Sequence, residues 1–145
     1  MTQSKLQQDL KNLESWENIW LMDFHPAKCF VLRFTKKHSK TIFDYKLHGQ
    51  VLESVENTKY LGLNISETLD WQKHIDSVTA KGNKRLGFLR RNLKISNQNT
   101  KAMAYKSLVR PVMEYGSSIW DPHKKCQVQQ LEMVQRRAAG WVCNS

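Results

Sequence analysis

The sequence predicts an α+β chain: an N-terminal helix, about four short antiparallel strands, and then an all-helical remainder. Three observations carry that expectation. Apolar residues step by three and four near the start, gather in short or alternating runs between residues 30 and 65, and return to helical spacing from residue 69. Leu, Ile, Val and Phe supply 35 of the 145 residues. That share exceeds the about 20% below which highly charged chains stay disordered. The length suits one domain or two small lobes.

Leu6, Leu10, Leu13, Trp16 and Trp20 step by 4, 3, 3 and 4, one stripe of an amphipathic helix. Ser4, with Gln7 three residues on, fits a capping box at its start. Pro26 breaks the chain after Phe24. Phe30-Val31-Leu32-Arg33-Phe34 then predicts a short, largely buried strand. A polar loop from Thr35 to Lys40 leads to alternating Phe43, Tyr45 and Leu47, a second strand. His48-Gly49-Gln50 fits a hairpin turn, with Val51 and Leu52 returning. Tyr60 to Ile65 predicts a fourth strand, with Leu61 in the core.

Residues 69–95 predict one continuous helix. Trp71, Ile75, Val78, Gly82, Leu86, Leu89 and Leu93 fall in one narrow sector at 100° per residue. Lys73, Lys84 and Arg91 fall nearly opposite, spaced by ~16 Å and ~10 Å along one ridge. A further helix runs from about Asn99 past Tyr105 and Val109 until Pro111 interrupts it. The last helix follows Trp120-Asp121-Pro122 and carries Val128, Leu131, Val134 or Gln135, Ala138 and Trp141. Trp16, Trp20, Trp71 and Trp141 lie on helix stripes and are expected in cores, not stacked on bases. Trp120 is left open.

Charge narrows the function. The chain has 23 Lys+Arg against 13 Asp+Glu, a net of +10. Residues 1–30 sum to −1, whereas residues 73–110 hold ten cations and only Asp76, a net of +9. Such a block is the electrostatic footprint of a polyanion binder, nucleic acid being the commonest partner, and a solvated face is the alternative. No apolar run reaches the ~18 residues of a membrane span, and the polar start is unlike a signal region, so an intracellular chain, nuclear or cytoplasmic, is expected. Cys29, Cys126 and Cys143, odd in number and far apart, are expected as reduced thiols.

The catalytic inventory is thin. Gly82 and Gly87 have P-loop spacing, but Phe88-Leu89 stand where Lys and Ser/Thr must hold phosphate and metal. His25 with Cys29 and His123 with Cys126 are isolated pairs, short of a tetrahedral zinc set. Asp9, Asp23, Asp44, Asp70, Asp76 and Asp121 are scattered, with no adjacent acidic pair. Neither a metal site nor a complete active site is expected.

Seven blocks follow one another in a recognisable order. The first is Leu10…Trp16…Trp20-Leu21-Met22-Asp23-Phe24-His25-Pro26-Ala27-Lys28-Cys29. Lys59-Tyr60-Leu61-Gly62, Leu69-Asp70-Trp71-Gln72-Lys73-His74-Ile75 and Leu86-Gly87-Phe88-Leu89-Arg90-Arg91-Asn92-Leu93 come next. Then come Tyr105-Lys106-Ser107-Leu108-Val109-Arg110-Pro111-Val112-Met113-Glu114-Tyr115, Ile119-Trp120-Asp121-Pro122 and Leu131-Glu132-Met133-Val134-Gln135-Arg136-Arg137-Ala138-Ala139. Together they resemble the reverse transcriptases of LINE-type (non-LTR) retrotransposons of the jockey-like group.

The resemblance implies the C-terminal part of such a polymerase: residues 1–67 as the end of its palm and 68–145 as a helical, thumb-like region. The Tyr-x-Asp-Asp motif of the palm would lie upstream, in a missing remainder of the polymerase chain. Two-metal catalysis needs those carboxylates. The resemblance therefore implies Mg²⁺ in the full-length polymerase, no cofactor in this chain, and no polymerase activity from it alone. Lys28 matches a lysine placed on the pyrophosphate side, and is otherwise an ordinary exposed lysine. Tyr60 and Gly62 match a primer-grip region, where glycine would allow close backbone approach; otherwise Gly62 is a strand glycine packed under a neighbour. Lys73, Lys84, Arg85, Arg90 and Arg91 would track an RNA–DNA or RNA template–primer duplex without sequence preference, since no base-reading motif is present. Arg136 and Arg137 extend that track or are solvated. Two other classes remain: a stand-alone basic nucleic-acid-binding module, and a helical protein-interaction remnant without catalysis.

Overall fold

Residues 3–35, 42–94 and 97–143 are described by a computed structural model. The order is α1 (Gln3–Trp20), a 3₁₀ turn (Pro26–Lys28), β1 (Phe30–Leu32), β2 (Lys46–Leu47), β3 (Gln50–Val51), β4 (Glu53–Val55), β5 (Asn57–Tyr60), β6 (Leu63–Ser66), α2 (Gln72–Asn92), α3 (Gln98–Leu108), α4 (Arg110–Glu114) and α5 (Lys125–Cys143). The chain is α+β, as its periodicities predict. It divides into two units, Met1–Tyr60 with Ile65–Leu69, and Leu61–Asn64 with Asp70–Ser145. No helix among the described residues is long and apolar enough to cross a membrane.

In the first unit α1 is fastened by polar bonds more than by its apolar stripe. Gln7 exchanges two 2.9 Å bonds with the Lys46 backbone, its Nε2 donating to the carbonyl and its Oε1 accepting from the N–H. Ser4 lies inside α1, not ahead of it, so the expected capping box does not form. Glu14 accepts from the His48 N–H at 2.6 Å, and buried Glu17 accepts from the Phe24 N–H and faces His48 Nε2 at 2.7 Å. Trp16 and Trp20 are exposed, Trp20 by 64%, against the expectation of core positions. Periodicity places residues on one stripe but supplies no surface to cover it. Trp16 instead meets Trp20 and Phe24, with ring centroids 6.1 and 6.2 Å away.

The strands form three two-stranded ladders. β2 and β3 pair antiparallel about a turn in which His48 (φ 50°) and Gly49 (φ 74°) are both left-handed, as a type I′ hairpin requires. β1 and β4 depart from the antiparallel expectation. They run parallel, with Phe30 opposite Glu53 and Leu32 opposite Val55, and the long connection between them allows it. Of the loop expected over Thr35–Lys40, residues 36–40 lie outside the described ones. β1 ends at Leu32, and Phe30 and Phe34 are exposed, because a three-residue ladder has no layers to cover both faces. Leu61 (φ 48°) and Gly62 (φ 87°) make a second left-handed pair, so the strand expected over Tyr60–Ile65 is instead a hairpin turn between β5 and β6. Leu61 sits on the tip of that turn, exposed, and not in the core.

The second unit is a helical cluster. Ile75, Val78, Gly82, Leu86 and Leu89 are buried along α2, as the 100° spacing predicts, while Trp71 and Leu93 are half-buried. The helix starts at Gln72, because Leu69 (φ 56°) is left-handed and Asp70 Oδ1 caps the first turn through the Gln72 N–H at 3.1 Å. Asn97 caps α3, its Oδ1 accepting from the Asn99 and Thr100 N–H groups at 2.9 and 3.3 Å. Pro111 lies in the first turn of α4, where its missing N–H costs nothing, so α3 and α4 meet at Val109. Val109, Met113, Trp120, Val134 and Ala138 complete the core. Gly82 lets three helices approach closely: a Cβ there would lie 3.1 Å from Met113 Sδ and 3.4 Å from Val134 Cγ1.

Candidate nucleic-acid interface

Opposite its buried stripe α2 presents Lys73, Lys84 and Arg91, while Arg85 and Arg90 flank the stripe on its two sides, and all five are exposed. Among the described residues none of the five is ion-paired. From residue 77 to residue 113 the sequence holds nine Lys+Arg and no acid. The acids that bracket this stretch both have partners, that of Glu114 within the stretch itself. Asp76 accepts from the Gln72 and Gln130 amides at 2.8 Å, and Glu114 binds Arg110 at 2.6 Å. Other cations have partners of their own. Lys101 is buried, its ammonium 6.0 Å from the Trp141 ring centroid. Arg136 pairs with Glu132 at 2.8 Å and Arg137 bonds Asn83 Oδ1 at 3.1 Å.

Arg85 is held in place from a second helix, its Nη1 donating to the Leu108 carbonyl at 2.7 Å. That bond closes one side of a groove of about 430 Å³ lined by Lys81, Lys84, Arg85, Phe88, Leu89 and Leu108. In the sequence Phe88 figures where it breaks a P-loop and within the block Leu86–Leu93, in neither case as a contact residue. Its place among cations on the outer face of α2 was the signal available.

The helix carrying the ridge is positioned by a polar clamp that the sequence reading did not single out. Asp70 accepts from Lys124 Nζ at 2.9 Å and from buried Gln127 Nε2 at 3.1 Å. The Lys124 bond, then the Gln72 N–H, hold the Asp70 carboxyl below its ordinary range. His74 is buried, its Nδ1 accepting from the Asn64 N–H at 3.3 Å, with the rings of Trp71 and Trp120 edge-on at 6.2 and 4.9 Å. Burial, then the nearby Lys81 charge, push its imidazole below the usual histidine value. Trp120, left open by the sequence, is the buried tryptophan, and its Nε1 donates to the Tyr115 carbonyl at 2.7 Å.

Gly62 meets the Tyr115 ring: a Cβ there would lie 3.3 Å from it, and the Tyr115 hydroxyl donates to the Leu61 carbonyl at 3.0 Å. Tyr60 and Lys28, in the other unit, line one cleft of about 400 Å³ with Leu10, Phe24 and Leu47 among its walls. Lys28 itself is exposed at the end of the 3₁₀ turn. Among the described residues no three His, Cys, Asp or Glu side chains gather into a metal-holding group.

No family model and no solved structure matches the chain. It is 29% identical over 140 residues to a probable RNA-directed DNA polymerase from transposon BS of Drosophila melanogaster, which covers 92% of this chain. It is 22% identical over 139 residues to the RNA-directed DNA polymerase from mobile element jockey of the same species, and 22% over 135 residues to that of Drosophila funebris. The chain spans about 15% of the length of each. By sequence, the chain is a homologue of a segment of the RNA-directed DNA polymerases of Drosophila mobile elements, the jockey polymerases among them.

Proposed function

We propose that this chain acts as a template–primer-holding segment of a retrotransposon RNA-directed DNA polymerase. Residues 1–67 serve as the end of a palm and 68–145 as a thumb-like region. The observation that carries the reading is the row of exposed cations along α2, with Asp76 the one acid among them. Lys73, Lys84, Arg85, Arg90 and Arg91 contact backbone phosphates of an RNA–DNA or RNA duplex, which requires no base reading. Tyr60 and Gly62 support the primer end, and Lys28, sharing a cleft with Tyr60, serves as a point charge toward pyrophosphate. The paired carboxylates that hold Mg²⁺ come from elsewhere in such a polymerase.

Two outcomes test this. Reversing Lys73, Lys84 and Arg91 to Glu is expected to weaken duplex binding far more than reversing the exposed Lys5, Lys11 and Lys46. The salt dependence should flatten by about 0.9 in log–log slope for each phosphate no longer neutralised on B-form DNA. Titrations of a labelled duplex at several salt concentrations measure it. Equal losses from both sets would reduce the effect to net charge. Absence of duplex binding at ~50 mM salt would put a protein-interaction role in front. Separately, the pure chain is expected to extend no primer on a poly-A template with Mg²⁺ or Mn²⁺. Template-dependent incorporation by it would overturn the assignment.

A further inference from the structure

We propose that the groove between α2 and α3 seats one unpaired base of a single-stranded RNA or DNA. The base stacks on Phe88, and Lys81, Lys84 and Arg85 hold the phosphates on either side. The proposal rests on the nucleic-acid reading above and adds to it a preference that the phosphate ridge does not supply.

Phe88 is 56% exposed and Leu108 46%, while Leu89 beneath them is buried. A single exposed phenylalanine needs no explanation. The neighbours of this one do. On the helix surface the residues three and four positions away are adjacent. For Phe88 these include Lys84, Arg85 and Arg91, and the groove adds Lys81. No acid lies anywhere between residues 77 and 113 to make this a mixed, solvated face. An aromatic platform inside a cationic groove is the arrangement that binds single strands, because every base has a stackable face and every linkage a phosphate.

The groove also separates single strands from duplexes by geometry. In a duplex the bases are already stacked and paired, so only phosphates reach the cations of α2. An unpaired base can leave its strand and reach the apolar floor made by Phe88, Leu89 and Leu108. Arg85 suits the rim because its bond to the Leu108 carbonyl orients the planar guanidinium before any ligand arrives. Gly87, next to the platform, has Arg91 Nη1 as its near neighbour at 3.3 Å from an ideal Cβ, so the Arg91 head folds back along the same helix.

The test compares a single-stranded oligonucleotide of about 12 nucleotides carrying 2-aminopurine with a hairpin duplex, using the full 145-residue chain. Phe88→Ala is expected to weaken single-strand binding about tenfold and to remove the fluorescence quenching of 2-aminopurine. Duplex affinity should be close to unchanged. Phe88→Trp should retain single-strand binding, and circular dichroism should show both variants folded, since the side chain is exposed. Unchanged single-strand affinity in Phe88→Ala would overturn the proposal, as would equal losses on both ligands. Displacement of the oligonucleotide by poly-glutamate at matched charge would make the groove a site for acidic peptides instead. Stacking alone fails if the charge reversals on α2 abolish duplex binding while Phe88→Ala changes nothing. Salt-sensitive binding of neither ligand would remove the nucleic-acid reading and this proposal together.

Discussion

Truncating Ile75 to alanine is expected to lower the unfolding free energy of the helical unit by about 3–4 kcal/mol. Ile75 is fully buried on α2, so the loss combines transfer of its removed carbons with the cavity left behind. For a unit of this size each kcal/mol shifts the melting temperature by about 4–8 °C. Urea and thermal denaturation followed by circular dichroism measure both effects. Ile119, in the same unit but 61% exposed, provides the matched control. Its alanine variant should stay within about 0.5 kcal/mol of the parent. Similar losses from the two isoleucines would show that α2 is not the centre of this core.

The second large effect is a dependence of stability on pH through His74. Its folded-state pKa lies below the ordinary histidine value because burial, then Lys81, disfavours the charged ring. Below about pH 6.5 the unfolded chain therefore binds a proton that the folded chain refuses, and stability falls as pH falls toward the folded value. Across that window the slope is at most about 1.4 kcal/mol per pH unit, the limit for one proton. Protonation also removes the acceptor for the Asn64 N–H, since Nδ1 becomes a donor. His74→Asn separates these effects: its side-chain oxygen lies near the Nδ1 position and does not titrate. The variant should lose a constant amount of stability from missing ring contacts and show a flatter profile between pH 5 and about pH 7. A slope unchanged in His74→Asn would assign the acid sensitivity to other groups.

How legible each part was in the sequence follows from how local its causes are. Along α2 burial depends on one stripe, so the spacing of Ile75, Val78, Leu86 and Leu89 located the core and, by subtraction, the exposed Lys73, Lys84 and Arg91. The β5–β6 turn was hidden because leucine at φ 48° is an unusual choice for a left-handed position that asparagine would advertise. Trp16 is exposed where a core place was expected, and Trp120, left open by the sequence, is buried, for a nonlocal reason. Helical spacing marks Trp16, but Trp120 is held by the Tyr115 carbonyl and the His74 ring, neither of which a periodicity reveals. The groove depends on Leu108 arriving from α3, which no single-helix pattern contains. Lys28 and Tyr60 were brought forward by resemblance alone, and their shared cleft was not predictable from spacing.

The acid-free stretch along α2 and α3 has a thermodynamic cost in the empty protein. Like charges there repel one another, with Glu114 at one end pairing Arg110, so the net positive charge of the stretch opposes folding. Added salt screens that repulsion over about 10 Å at 0.1 M and thereby steadies the fold. The same salt weakens the attraction of these cations for a phosphate backbone. Ionic strength thus pulls folding and binding in opposite directions, and a bound polyanion relieves locally what salt relieves only in bulk.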